Sequence, residues 1–263
     1  MSRRALSTGL TVFNTAVFAF LLAPIVVVVI SSFGETDYLA FPPQGWTLKW
    51  YRQALTDPAY WDSFRVSIWL GAVSAVGAVA MGATAAYALG RYRPRGRDAL
   101  ATFFLSPLVL PGLVLGVALL VFSSRFWAPP GIWRLAVAHV VVTVPYVVRT
   151  LLPVVEQLDP ALEEAARDLG ATRWTAVWTV NLRLLAPAVV VSAMLAFLVS
   201  FDELVLALFL APPGLPTLPL QIYSNVQFGL DPTVGAVSTL LLVLTAVLMV
   251  AGQAVLGARR RAG

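Results

Sequence analysis

VSIWLGAVSAVGAVAMGATAAYAL, residues Val66–Leu89, runs for 24 residues without a charged side chain. At 1.5 Å per residue such a helix is about 36 Å long, enough to cross a hydrocarbon core of roughly 30 Å. Five further apolar stretches surround it: Leu10–Ile30, Leu100–Phe122, Ile132–Val148, Leu184–Leu210 and Thr233–Leu256. The fourth of the six segments is the weakest, since it contains Pro145 and is bounded by Arg134 and Arg149. The fifth is long but interrupted by Asp202 and Glu203. The expected fold is therefore all-α: a polytopic membrane protein of about six transmembrane helices, one transmembrane domain over residues 1–263. The first segment reads as a span rather than a signal peptide, because its apolar run exceeds the usual h-region and no small-residue cleavage site follows.

Composition agrees and removes several chemistries. Hydrophobic residues make up 59% of the chain and charged residues 12%, about half the charged share of a soluble domain. With no cysteine, disulfides, thiol nucleophiles and metal–thiolate sites are excluded. A single histidine, His139, cannot build a multi-His metal site, and it is expected to be a packed or hydrogen-bonded core residue. Lys49, the one lysine, follows Leu48, so the nucleotide-binding pattern GxxxxGK[ST] is absent. No cofactor is expected, and no nucleic-acid partner.

The arginines set the orientation. Arg3 and Arg4, then Arg91, Arg93, Arg95 and Arg97, then Arg149, Arg167, Arg173 and Arg183, and finally Arg259, Arg260 and Arg261 account for 13 of the 18 basic residues. Six spans bring all of these flanks to one side, leaving Lys49, Arg52, Arg65, Arg125 and Arg134 on the other. Basic flanks are retained in the cytoplasm, which makes both termini cytoplasmic and the chain a multi-pass protein of the cell membrane. The outer loop 33–63 is rich in Trp and Tyr, as suits a membrane–water interface. The outer loop 211–232 carries Pro212, Pro213, Gly214, Pro216 and Pro219, which are expected not to continue a helix, with Asp231 capping and Pro232 opening the last span. Pro107, Pro111 and Pro145 are expected to bend their helices.

The most informative stretch is the cytoplasmic loop 159–183. Asp159 and Pro160 suit the cap and first position of a short helix. Leu162, Ala165, Ala166 and Leu169 fall at i, i+3, i+4 and i+7 on one apolar face, with Glu163, Glu164, Arg167 and Asp168 around the remainder. Gly170 is placed as a terminator, and Thr172 as the cap of a second short helix bearing Trp174, Val177 and Trp178. The pattern allows two readings: a face laid on the bilayer or on the protein's own helices, or a face docked into a soluble partner.

Glu164-Ala165-Ala166, three residues, Gly170, nine residues and Val180-x-Leu182 resemble the EAA loop of ABC importer permeases. Val180 stands for the family's isoleucine, and Arg183 occupies the position of its usual proline. Phe41-Pro42-Pro43-x-Gly45-x-Thr47-Leu48-x-Trp50-Tyr51, Ser106-Pro107-Leu108-Val109-Leu110-Pro111-Gly112, Ser200-Phe201-Asp202-Glu203, and Thr217-Leu218-Pro219 through Ile222-Tyr223 to Asp231-Pro232-Thr233 are similar to the spermidine/putrescine subfamily, nearest to its second permease subunit. The resemblance covers essentially the whole chain.

It implies a type I importer permease with the MetI-like fold and no ATPase motif of its own. Its implied partners are a paralogous permease subunit, two cytoplasmic ATP-binding subunits that consume the ATP, an extracytoplasmic solute-binding protein and a small cationic solute such as a polyamine. The loop residues Leu162, Glu164, Ala165, Ala166, Leu169 and Gly170 would form the coupling helix seated on the ATPase. Permeases that carry Fe3+, thiamine or an aminophosphonate share much of the pattern.

Asp202 and Glu203 lie inside an apolar segment, where an ionised carboxylate is costly and usually serves function. They are candidates for attracting a cation along the substrate path, the alternative being a helix-end contact or pairing with Arg125 or Arg134. Tyr223 is a further candidate for contact with solute or binding protein. An intramembrane enzyme is disfavoured, because the acids are neighbours on one segment rather than on facing helices.

Overall fold

The computed structural model describes the backbone of residues 3–126, 131–228 and 232–262, and side chains over 9–126, 131–227 and 232–247 and at Val250. Twelve α-helices follow in chain order: α1 (Arg3–Ser31), α2 (Lys49–Thr56), α3 (Pro58–Tyr87), α4 (Arg97–Leu105), α5 (Gly112–Arg125), α6 (Ile132–Glu156), α7 (Pro160–Asp168), α8 (Arg173–Ala176), α9 (Leu182–Phe201), α10 (Val205–Leu210), α11 (Leu218–Phe228) and α12 (Pro232–Ala262). The chain forms two compact units, residues 62–221 with 250–263, and residues 1–61 with 222–249.

In the unit 62–221 the organising helix is α6. It buries side chains from Leu135 to Val155, and continues through Pro145 and Pro153 as one helix. Glycines let α3 approach it. A methyl at Gly77 would stand 2.8 Å from Val140, at Gly82 2.8 Å from Val147, and at Gly90 2.7 Å from Val155. In a bilayer, where helices gain little from the hydrophobic effect against each other, such close backbone approach supplies the packing. Both residue series rise together, so α3 and α6 run parallel. The buried hydrogen bond between His139 and Ser200, 2.8 Å, and the packing of Val189 against the core formed by Val147, Val148 and Leu151 show α9 running antiparallel to both. The basic stretches 91–97 and 149–183 consequently lie at one end of this unit.

The third apolar segment is not one straight span. Its two halves, Arg97–Leu108 and Gly112–Arg125, are bent by 101°. Pro111 lacks the N–H that would continue the helix and disfavours helical backbone at Leu110. Pro107 sits in the 3-10 turn Ser106–Leu108. α5 then packs on α10, where a methyl at Gly116 would stand 2.8 Å from Phe209. The fifth segment is also redrawn: one continuous helical stretch, Arg173–Phe201, includes α8, a π-helical turn Val177–Asn181 and α9, while residues beyond Phe201 form the separate α10. The expected second short helix of the loop is thus the first turns of the fifth span. With Arg183 in the proline position the helix enters the span without a break.

Within the outer loop 211–232, Pro212, Pro213 and Pro216 lie outside any helix, but Pro219 falls inside α11. Pro219 occupies its second position, where a missing N–H has no intrahelical partner to lose, and Leu218 N donates to Ser67 Oγ at 2.8 Å. The proposed cap Asp231 lies outside the described residues.

In the other unit, Ser32 Oγ accepts from Thr239 at 3.3 Å and shares a 2.6 Å hydrogen bond with Tyr51. Trp50 Nε1 donates to Gly34 O at 2.8 Å, which anchors α2 to the end of α1. None of the most apolar window of α1 is buried by its own chain, the surface a bilayer would solvate.

Four helical stretches among the described residues are long and apolar enough to cross a membrane, and the bent pair makes a fifth. α12 is apolar over its described part, Pro232–Val247.

Candidate functional site

Asp159 accepts from Ala161 N at 2.9 Å and opens α7, with Pro160 in the first position. Gly170, at φ +92°, closes it. Its N–H donates to Arg167 O at 2.9 Å and that of Ala171 to Ala166 O at 3.1 Å, the paired bonds of a Schellman ending, which need a left-handed residue. Thr172 then accepts from Thr175 N at 3.2 Å. The reading of caps and terminator is met residue by residue, and the loop is a tight hook.

The distribution of its side chains is less expected. Leu162 is 46% exposed and Leu169 90%, and Glu164 and Ala165 are exposed, with Ala166 half-buried. Among the described residues, most of the apolar face is left uncovered by the chain's own helices. Trp174 and Trp178 are exposed as well, at 74% and 67%, on the rim of an apolar cavity of about 580 Å³ lined by Tyr87, Leu151, Val155, Leu185 and Val189 among others. An uncovered apolar helix face of this kind marks an interaction surface.

The buried residue of α7 is an acid. Glu163, read from the sequence as part of the polar remainder, is 7% exposed. Its Oε2 accepts from Arg91 Nε at 3.1 Å and Nη2 at 2.8 Å, and from Asn181 Nδ2 at 3.1 Å. Asn181 also donates to Tyr87 Oη at 2.7 Å. Burial pushes the carboxyl of Glu163 up, but the hydrogen bonds from Asn181 and Arg91 and the charges of Arg91 and Arg173 outweigh it and hold the group below its ordinary value. It is therefore a carboxylate at neutral pH. Helical periodicity could not reveal this, because the partners lie 72 and 18 residues away.

At the other end of α9, the two acids of the fifth segment are not within a continuous helix. α9 stops at Phe201 and Asp202 takes its C-cap position. Glu203 Oε1 accepts from Val205 N at 2.9 Å and Leu206 N at 3.2 Å, capping α10. Glu203 thus has the helix-end role, and neither acid pairs with Arg125 or Arg134 among the described residues. Asp202 is exposed. Tyr223 belongs to the other unit, where its hydroxyl accepts from Gln227 at 2.7 Å. His139 is buried and bonded through Nδ1, as expected of a core residue.

Residues 78–262 match the model of the family described as binding-protein-dependent transport system inner membrane component. The chain belongs to this family. The permease is 34% identical over 241 residues to the spermidine/putrescine transport system permease protein PotC of Escherichia coli, covering 92% of this chain and 91% of that one. It is 35% identical over 232 residues to the putrescine transport system permease protein PotI of the same organism, covering 86% and 82%. The putative 2-aminoethylphosphonate transport system permease protein PhnV of Salmonella paratyphi A is 29% identical, with 88% and 87% covered. Among solved structures, a bacterial ABC transporter involved in import of the acidic polysaccharide alginate superposes with a TM-score of 0.73 at 18% identity, covering 96% of the permease and 98% of that chain. The MetNI methionine ABC transporter in an inward-facing conformation gives 0.61 at 21% identity, covering 76% and 94%. These two likenesses establish the shared fold.

Proposed function

We propose that the chain is the membrane-spanning permease subunit of an ABC importer for a polyamine such as spermidine or putrescine. In this reading it is coupled through α7 to a separate ATPase and receives its solute from an extracytoplasmic binding protein. The observation that carries the coupling is the exposed face of Leu162, Ala165 and Leu169 on a rigidly capped hook. A helix with unpaid apolar area at the arginine-rich end of the bundle is suited to reversible docking in a groove of a soluble protein. Glu164 and Arg167 flank it with charge. Both termini and the hook are cytoplasmic in this reading, which the clustering of the arginines supports.

The polyamine cargo rests on the names of the relatives at 34% and 35% identity. Asp202, exposed at the end of α9, is the acid available to a cationic solute. Glu203 is committed to a helix end, and Tyr223 remains a candidate contact. The permease pairs with a paralogous second permease and two ATPase subunits.

The permease purified with the products of its neighbouring genes and placed in proteoliposomes tests the proposal. ATPase activity should rise when spermidine- or putrescine-loaded binding protein is added, and a crosslinker at Ala165 should reach the ATPase subunit. Stimulation by 2-aminoethylphosphonate instead of polyamine would move the cargo to that of the PhnV-like relatives. Absence of any Ala165 crosslink to an ATPase would remove the coupling role.

A further inference from the structure

Most of the surface of α7 is free, and one side chain holds the helix inward. The carboxylate of Glu163 is bound at once by Arg91 and by Asn181, which itself bonds Tyr87. Arg91 lies in the π-helical turn Ala88–Tyr92 that ends the second span. Asn181 closes the π-helical turn Val177–Asn181 that leads into the fifth. π-turns are uncommon, local departures from α-helical register that recur at functional positions. Here one acid grips both of them. The grip is of the stiff kind: two N–H bonds from a guanidinium and one from an amide converge on one charged oxygen. A second contact joins the same parts, with the Arg173 guanidinium 5.1 Å from the ring centre of Tyr92.

The other connections of α7 are weak by comparison. Its C-terminal link is Gly170, where an added methyl would meet nothing within 4 Å, and Glu163 is the buried residue of the helix. A push from below through Leu162 and Leu169 reaches the rest of the chain through the end turns at Asp159 and Gly170 and through the buried Glu163.

We infer that Glu163 is the joint through which movement of the hook reaches the second and fifth spans together, acting as a positioning residue by way of Arg91 and Asn181. The inference rests on the proposal that α7 docks on the ATPase. An ion pair at the same end of the unit, Arg97 with Glu156, joins α4 to α6 without touching the hook. It is the internal control.

The experiment uses the full importer in proteoliposomes and reads solute taken up per ATP hydrolysed, with co-purification of the ATPase subunit measured separately. Glu163→Ala should keep the ATPase bound and hydrolysing while the uptake-to-hydrolysis ratio falls about tenfold, within the range of coupling changes caused by residues that touch neither ligand. Arg91→Glu alone should behave the same way, and the exchange Arg91→Glu with Glu163→Arg should recover most of the ratio. Glu156→Gln should leave the ratio unchanged. If Glu163→Ala is lost from the membrane, Asn181→Ala carries the test: it leaves the ion pair but frees the fifth span, and the ratio should fall about threefold.

A wild-type ratio in Glu163→Ala or Asn181→Ala, uptake and hydrolysis falling in equal proportion, or failure of the charge exchange to recover coupling would each overturn the inference. Failure of the wild-type permease to retain an ATPase would instead overturn the docking reading beneath it.

Discussion

Two pairs of adjacent acids sit near opposite ends of α9, and each pair divides its labour in the same way. In the hook, Glu163 is buried against Arg91 and Asn181 while Glu164 is exposed. Beyond Phe201, Glu203 caps α10 through two backbone N–H groups while Asp202 is exposed. Neighbouring side chains point in different directions, on the helix α7 as in the break between α9 and α10, so an acidic doublet can turn one carboxylate to the fold and offer the other to something outside it. What differs is the partner. A guanidinium 72 residues away in sequence makes Glu163 a tertiary tie, whereas the local N–H groups make Glu203 a cap. The cost of removing each acid should differ accordingly.

The largest effect on stability is expected at the tertiary tie. Glu163→Ala leaves Arg91 without its counter-charge in a largely buried setting and should destabilise the solubilised permease by about 3 kcal/mol, the scale for breaking a buried pair on one side. Thermal unfolding of the purified permease measures it. A variant indistinguishable from wild type would break the comparison at its strongest point. Next comes the exposed apolar face: Leu169→Asp should leave thermal stability unchanged but weaken ATPase association by at least tenfold, about 1.4 kcal/mol, read by co-purification or titration of the ATPase onto detergent-solubilised permease. Glu203→Ala removes a helix cap and should cost about 1 kcal/mol. Smaller still, the exposed members Glu164→Gln and Asp202→Asn should change stability by less than about 0.5 kcal/mol. Asp202→Asn should nevertheless reduce polyamine uptake in the assembled importer. Equal stability losses for both members of either doublet would show that the division of labour is not there.

The pH dependence sharpens the same contrast. Glu163 is held below its ordinary value of 4.5, so its contribution to stability is fully present above that pH. It is lost as pH falls through the lower native value, where the folded state must take up a proton against Arg91. The stability difference between wild type and Glu163→Gln should therefore be constant near neutral pH and shrink on the acid side. A difference that grows on acidification would mean that burial, not the ion pair, dominates.

The sequence-based account of the hook was accurate where the physics is local. Asp159, Pro160, Gly170 and Thr172 each act through bonds to residues at most four positions away, and each does what its type and place dictate. It was incomplete where a single residue's environment comes from distant chain. Glu163 in a run of charged residues looks like solvent-facing surface, and nothing in its neighbourhood announces Arg91. Hydropathy averages over a window, so by sequence the acids at 202 and 203 fall inside a span. A break of three residues with apolar helix on both sides does not lower that average enough to show. The 101° bend at Pro111, by contrast, was legible, because the proline itself is the signal.

Sequence by itself determined that this chain lives in a bilayer, which of its stretches are apolar enough to cross, that its arginines cluster in particular flanks of those stretches, and that a capped hook bears an apolar face and a family's loop pattern. Those properties depend on composition and short-range periodicity, which are read directly from neighbouring residues. Only the tertiary structure decided that the fifth span begins within the hook, that Asp202 ends one helix while Glu203 caps the next, and that Glu163 fastens the hook to two spans at once. The reason is physical: whether a charge is exposed, capped or paired depends on which backbone and side-chain groups the packing of α3, α6 and α9 brings within hydrogen-bonding distance, and that packing is made by glycines and valines far from the acids themselves.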